Sequence, residues 1–459
     1  MNVKNFWRQR LLIRFFLSFW LILVSAIPTA QAALIRDTEI EDGLQALARP
    51  FAHSAGIDNL LIRLVPNESY NAYIVGGRTV FVHTGLLMKA KSTQEILGVL
   101  AHEIGHLAAG HAPRRALAAH DANLTTTLAT IAAAALAASG ASGDAALGVA
   151  IGGHDRAGRN YLASSRYDES VADEWALKLL AEHGIAASGM ADFMRRLAAQ
   201  SALPENRQSD YYSSHPGAAS RLLTFEDHIR EHGSDSPGLR FEDDQLMQQI
   251  IAKVKAYSDP PSFTLNDSLK ENDHSSYPHF SDASQKYRQA IAHFRRGDLA
   301  QALEAISMLR EAHPENPYFH EFAGDVYYVD QQADKAIEAY EMSLSFRASP
   351  LIKFSLGRAY LASADNGQTA HYEKAVEALE WAVKRESGWP ELRRQYAIAL
   401  GRNGQLAEAD VALAEEAIIF GDTQRAIQMA RRALTRQPLA KDTQNRANDI
   451  LFSLGGNPQ

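Results

Sequence analysis

The sequence predicts a mainly helical protein in two parts. The first is an α+β domain with a small sheet and one long capped helix, and the second is a superhelix of stacked helix pairs. Three observations carry this. Two short alternating runs, Leu60 to Val65 and Arg78 to Val82, are punctuated by Pro66-Asn67 and Gly76-Gly77, as strands bounded by turns are. Ser92 with Glu95 three residues on forms a capping box, after which Ile96, Val99, Leu100, Ile104 and Leu107 recur at helical spacing up to Gly110. From residue 283 to 440 small residues recur with a period of about 34. With 459 residues, 46% of them hydrophobic, the chain is long enough for two or three domains and more than one core.

The repeat is legible position by position. Pro317, Pro350 and Pro390 each stand seven residues before Gly324, Gly357 and Ala397, and Tyr327 and Tyr360 follow those glycines by three. Ala336 and Ala409 lie twelve after their small residue, as Ala302 does after Ala290. Ala375 lies eighteen after, which implies a six-residue insertion near Ala364 to Ala370. A last hairpin, Ala414 to Leu434, fits partially, and residues 441–459 read as a tail. Helix pairs with small residues at their crossings resemble the tetratricopeptide repeat, four units in register arguing against an unrelated bundle. Between the two parts, residues 236–282 read as a connector, with one amphipathic helix from about Asp244 to Tyr257 and then a polar stretch.

Composition excludes several classes of function. Lys and Arg number 46 against 54 Asp and Glu, a formal net charge of −8, which argues against a nucleic-acid partner. There is no cysteine, so disulfides, thiolate metal sites and lipoprotein anchoring are excluded, and any metal site is built from His, Asp and Glu. Residues 1–32 read as a secretory signal: Lys4, Arg8, Arg10 and Arg14, an apolar run from Phe15 to Ile27, then Ala30-Gln31-Ala32. The run is short of the roughly 20 residues a spanning helix needs, so the alternative, an uncleaved anchor, is the weaker reading. Ala122 to Gly143 is free of charge but consists mostly of Ala, Thr, Ser and Gly. A single span there would place the two metal-binding segments on opposite sides of a membrane. Residues 122–152 are therefore expected to form a helical hairpin, lying against a membrane or covering a cleft.

The chemistry lies in three segments. His102-Glu103-Ile104-Gly105-His106 sits on the capped helix, and its two imidazoles, four residues apart, face one side and can chelate one ion. Glu103 is placed to take a proton from water. In Ser165-Arg166-Tyr167-Asp168-Glu169-Ser170-Val171-Ala172-Asp173 the acids Glu169 and Asp173 share a helix with apolar Val171, Ala172 and Trp175. Buried acids are costly unless paired or metal-bound, so Glu169 reads as the third ligand and Asp173 as the carboxylate that fixes the tautomer of His102. His111 is read as a helix-terminal histidine without a ligand role.

His102-Glu103-x-x-His106 with Ser165-Arg166-x-x-Glu169-x-x-x-Asp173 resembles the gluzincin-type metallopeptidases related to HtpX. The signal segment and repeat tail narrow the likeness to the BepA-like periplasmic proteases. The resemblance implies a zincin-type α+β protease domain over residues 33–235, one Zn2+ per chain held by His102, His106 and Glu169, and Glu103 as catalytic carboxylate. It implies that Asn71-Ala72-Tyr73 and the strand Thr79 to His83 border the cleft, with Asn71, Val80 and Val82 contacting substrate. The family also carries a His-Pro segment, here Ser214-His215-Pro216 with Arg221 following. His215 then has two readings, as a donor to the oxyanion of the tetrahedral intermediate or as a latch in the open zinc position. Arg221 is expected beside Asp173 or a substrate carbonyl. The implied activity is endoproteolysis of misfolded or unassembled envelope proteins in the periplasm, the repeats recruiting clients or outer-membrane assembly components. The competing reading is a chaperone with a latent zinc site.

Overall fold

The computed structural model describes residues 34–74, 78–111, 166–202, 211, 215–267 and 280–455. The expected signal segment and the expected hairpin over 122–152 lie outside these. Among the described residues no helix is long and apolar enough to cross a membrane.

Helix α1 (Thr38–Ser54) opens the first part, its N-terminus capped by Asp37, which accepts the Ile40 amide. A three-stranded sheet follows: β1 (Leu61–Val65), β2 (Ala72–Ile74) and β3 (Thr79–His83), in the order β1-β3-β2. β1 runs parallel to β3 with Ile62 opposite Val80, and β2 runs antiparallel with Ala72 opposite Val82. This corrects the expected cleft. β3 is the central strand, and Val80 and Val82 are fully buried in the core, so neither reaches a substrate. The strand along the outer edge is β2, which the sequence did not reveal.

After α2 (Thr84–Lys89) comes α3 (Thr93–Ala108), the capped helix. Ser92 Oγ accepts the Glu95 amide at 3.2 Å, whereas the Glu95 carboxylate takes the Lys91 amide at 2.9 Å, so the reciprocal half of the box is shifted by one residue. Helix α4 (166–182), α5 (Ser188–Ala199) and α6 (Ala218–His232) complete the domain around the buried face of α3. The expected connector is a second correction. Its helix, α7 (Phe241–Ser258), contributes Met247, Ile250, Ile251 and Val254 to the first core and also packs on α9. A short α8 (Pro261–Asp267) follows.

Five further helix pairs build the array: α9 (Asp282–Arg296) and α10 (Leu299–Ala312), α11 (Pro317–Val329) and α12 (Ala333–Phe346), α13 (Pro350–Asp365) and α14 (His371–Val383), α15 (Pro390–Arg402) and α16 (Leu406–Ile419), α17 (Thr423–Leu434) and α18 (Lys441–Ser453). Each of the three prolines opens a first helix, where its missing N–H costs nothing. Gly324 and Gly357 mark the crossings: a Cβ there would stand 2.6 Å from the Tyr340 ring and 2.5 Å from Leu379. The inserted residues lengthen α13 to 16 residues against 13 for α11 and widen the turn after it. The expected last hairpin and tail are redrawn. Ala414 lies inside α16, and α18 buries Ala447, Ile450 and Leu451 against its neighbours instead of trailing as a tail.

With no cysteine, the two parts meet through buried polar contacts centred on α1. Lys253 of α7 lies 2.9 Å from both Asp37 Oδ2 and Glu39 Oε2, and Tyr287 Oη donates to Glu39 at 3.1 Å. Burial alone would lower the Lys253 ammonium, but Asp37, Tyr287 and Glu39 hold it well above its ordinary value. Arg347 forks onto Asp42 at 2.6 and 2.7 Å, Arg63 bridges Glu41 and Glu386 at 2.6 and 2.8 Å, and Arg36 stacks 4.9 Å over Trp389. Removing one partner from such a buried set strands the others. Lys253→Met is therefore expected to cost about 3–5 kcal/mol, read as a fall in the urea midpoint, whereas the half-exposed Arg347→Met costs under about 1 kcal/mol.

Candidate metal centre

The site begins where α3 and α4 cross. Gly105 sits between the two histidines, and a Cβ added there would lie 2.8 Å from the Ala172 carbonyl oxygen and 2.8 Å from Trp175 Cβ. Only a glycine lets the two backbones approach so closely. On either side of this contact, His102 and His106 project from α3 toward Glu169 and Asp173 of α4, all four buried.

Ligand atoms of His102, His106, Glu169 and His215 lie within 4.8 Å of one another. The His102 and His106 Nε2 atoms are 3.1 Å apart, and Glu169 oxygens stand 3.3 and 3.4 Å from them. In a tetrahedral site with bonds of about 2.0–2.1 Å, ligand atoms are about 3.3 Å apart. Among the described residues the guanidinium of Arg221 pairs with the carboxylates of Glu169 and Asp173, and Glu103 is buried near His215. The donor spacing of the cluster fits a divalent cation.

Each ligand is held from behind. Asp173 Oδ1 lies 2.9 Å from His102 Nδ1, so that nitrogen carries the proton and Nε2 offers its lone pair. Arg221 from α6 forks onto Asp173 at 2.7 and 2.7 Å and reaches Glu169 Oε2 at 2.8 Å. His215 Nδ1 stands 2.9 Å from Glu169 Oε2, with its Nε2 3.7 Å from Glu103 Oε1. Behind His215 stacks the Tyr211 ring, centroids 4.0 Å apart, a buried residue the sequence gave no signal for. His111, assigned no part in the sequence reading, lies with Nδ1 2.7 Å from His106 Nδ1. Its only sequence signal is its place one turn beyond the motif.

Burial sets the electrostatics, and the neighbours reverse it selectively. Burial and Arg221 press the His102 imidazole down, but the bonds to Asp173 and Glu169 outweigh them and hold it at about 9. Without a metal the ring therefore keeps both protons at pH 7, and a cation binding at Nε2 displaces the proton that faces Glu169. Burial drives His106 well below its ordinary value and His215 down to about 4, leaving both neutral and able to ligate at pH 7. Burial would raise Glu169 and Asp173, yet for Glu169 His215 and Arg221, and for Asp173 Arg221 and His102, overcome it and keep both carboxyls ionised.

Comparison with known proteins decides the class of this cluster. Residues 35–228 match peptidase family M48. This segment is an M48 metallopeptidase domain. The chain is similar to the beta-barrel assembly-enhancing protease of Escherichia coli (strain K12), 22% identical over 385 residues that cover 83% of this chain and 76% of that protein. Over shorter stretches the chain is similar to metalloprotease YcaL of the same organism, 32% identical over 35% of this chain and 58% of that protein, and to metalloprotease LoiP, 29% identical over 36% and 61%. Among solved structures, YrrB, a TPR protein with an unusual peptide-binding site, aligns at 17% identity and a TM-score of 0.29 over 42% of this chain and 92% of its own.

In the M48 domain, Glu169→Ala is expected to lower affinity for a divalent metal by more than about 100-fold, measured by chelator competition. Asp173→Asn, which keeps shape but cannot hold the same tautomer, should cost less.

Proposed function

We propose that the chain is a zinc-dependent endopeptidase of the periplasm that cleaves misfolded or stalled envelope proteins, with its repeat array recruiting clients or outer-membrane assembly partners. The observation that carries the reading is the burial of Glu103 beside the converging donors of His102, His106 and Glu169, in the metallopeptidase domain of a chain similar to a protein named for beta-barrel assembly. A zinc ion in that donor set supplies Lewis-acid polarisation of the scissile carbonyl and acidifies the attacking water.

Within this scheme Glu103 accepts the proton of the attacking water and passes it to the amide nitrogen as the C–N bond breaks. Asp173 and Arg221 keep the ligands oriented and ionised. An extended substrate lies along β2, whose outer edge faces no other strand among the described residues and which packs on α3. Asn71 supports this placement: its Oδ1, at the head of β2, takes no hydrogen bond from the described residues and can accept a peptide N–H.

His215 supports a second reading, that of a holding protein with a latched site. Its Nδ1 hydrogen bond to Glu169 and its approach to Glu103 are consistent with either role.

Two variants separate these readings. Glu103→Gln is expected to bind zinc like the wild type and to cleave an unfolded protein at least about 1000-fold more slowly. Equal cleavage by that variant ends the mechanism. His215→Ala with zinc retained is expected to lose about 100-fold in kcat if the ring donates to the oxyanion, and to gain activity if it latches the site.

A further inference from the structure

We propose that His111 is a positioning residue for the metal, acting through His106. This rests on the reading that His106 Nε2 binds the ion. An imidazole that binds through Nε2 is neutral and carries its proton on Nδ1. His106 Nδ1 faces His111 Nδ1 at 2.7 Å, so His106 donates and His111 accepts. An accepting Nδ1 leaves the His111 proton on Nε2. That nitrogen faces Asp168 Oδ1 at 3.6 Å, on a carboxylate 1% exposed. The two rings therefore agree on one arrangement of protons, with the His106 Nδ1 proton directed at His111 and the His106 Nε2 lone pair toward the metal.

The two metal-binding histidines are thus steadied by different chemistry. His102 donates to the charged carboxylate of Asp173 at 2.9 Å. His106 donates to a neutral ring, which is buried at 1% exposure and whose plane is inclined 67° to its own at a centroid distance of 5.0 Å. A ring acceptor fixes the direction of the His106 lone pair while adding no further negative charge to a cluster that already gathers three carboxylates.

The test uses the full chain and two replacements of the acceptor. His111→Asn places an amide oxygen where Nδ1 stood and keeps the acceptor. His111→Leu keeps comparable bulk and removes it. Zinc affinity by chelator competition and the visible spectrum of the cobalt-loaded protein are read beside the thermal midpoint of the metal-free protein. The expected result is affinity lowered about 10–100-fold in His111→Leu, with an altered cobalt spectrum, and recovery to within a few-fold of wild type in His111→Asn. Equal affinity in all three proteins overturns the proposal, as does an equal loss in both variants matched by equal falls in the metal-free midpoint. A wild-type chain that binds no zinc overturns instead the reading that His106 is a ligand.

Discussion

The close approach of α3 to α4 at Gly105 is the constraint on which the site depends. Side chains at i and i+4 of one helix can pair on one face, but they cannot supply a third donor. The third must come from another helix, and a carboxylate such as Glu169 has too short a reach to bridge an ordinary helix separation of 8–10 Å together with two imidazoles. With the glycine seated against the Ala172 carbonyl, the two backbones come close enough for donor spacings of 3.1 to 3.4 Å. Arg221 then becomes necessary, because the same approach brings Glu169 and Asp173 into a dry interior, where two unscreened carboxylates would otherwise shed their charge.

What the sequence made legible was whatever a single helix encodes. The spacing of His102 to His106 and of Glu169 to Asp173, the Ser92 cap, and the seven-residue step from proline to glycine in the array each span one or two helical turns, and each points to the structure found. What it hid depends on partners distant along the chain. β2 is three residues long, too short for alternation to register, so only the family resemblance points to Asn71-Ala72-Tyr73, and the same resemblance brings Val80 and Val82 to the cleft although they lie in the core. Alternation reports which face a residue occupies and is silent on whether its strand is central or at the rim. Tyr211 and His111 escaped for a related reason: an aromatic behind a histidine, and a histidine one turn past a motif, carry no pattern until the fold closes.

The absence of cysteine takes on its meaning at the junction of the two parts. Helix α7, read from composition as part of a polar connector, is shared: one side completes the first core, another packs on α9, and its Lys253 joins the carboxylates of Asp37 and Glu39. Polar residues buried at a junction cost desolvation but admit few alternative arrangements, which favours one docking over many. The repeat array rests in this way on the helix that opens the protease domain, whose Glu41 also anchors Arg63 of β1.

That shared anchoring has a consequence for delivery. Two modules on a flexible tether present a captured chain at a concentration set by tether length, which falls as the tether grows. Here α1, β1 and α7 tie the repeats to the sheet at several points, and little slack remains to average over. Under the proposed function, a client segment held by the array would meet the catalytic domain at a local concentration and a heading fixed by geometry. Reach along the client would be measured in residues of the client itself, which makes the array a ruler as much as a hook.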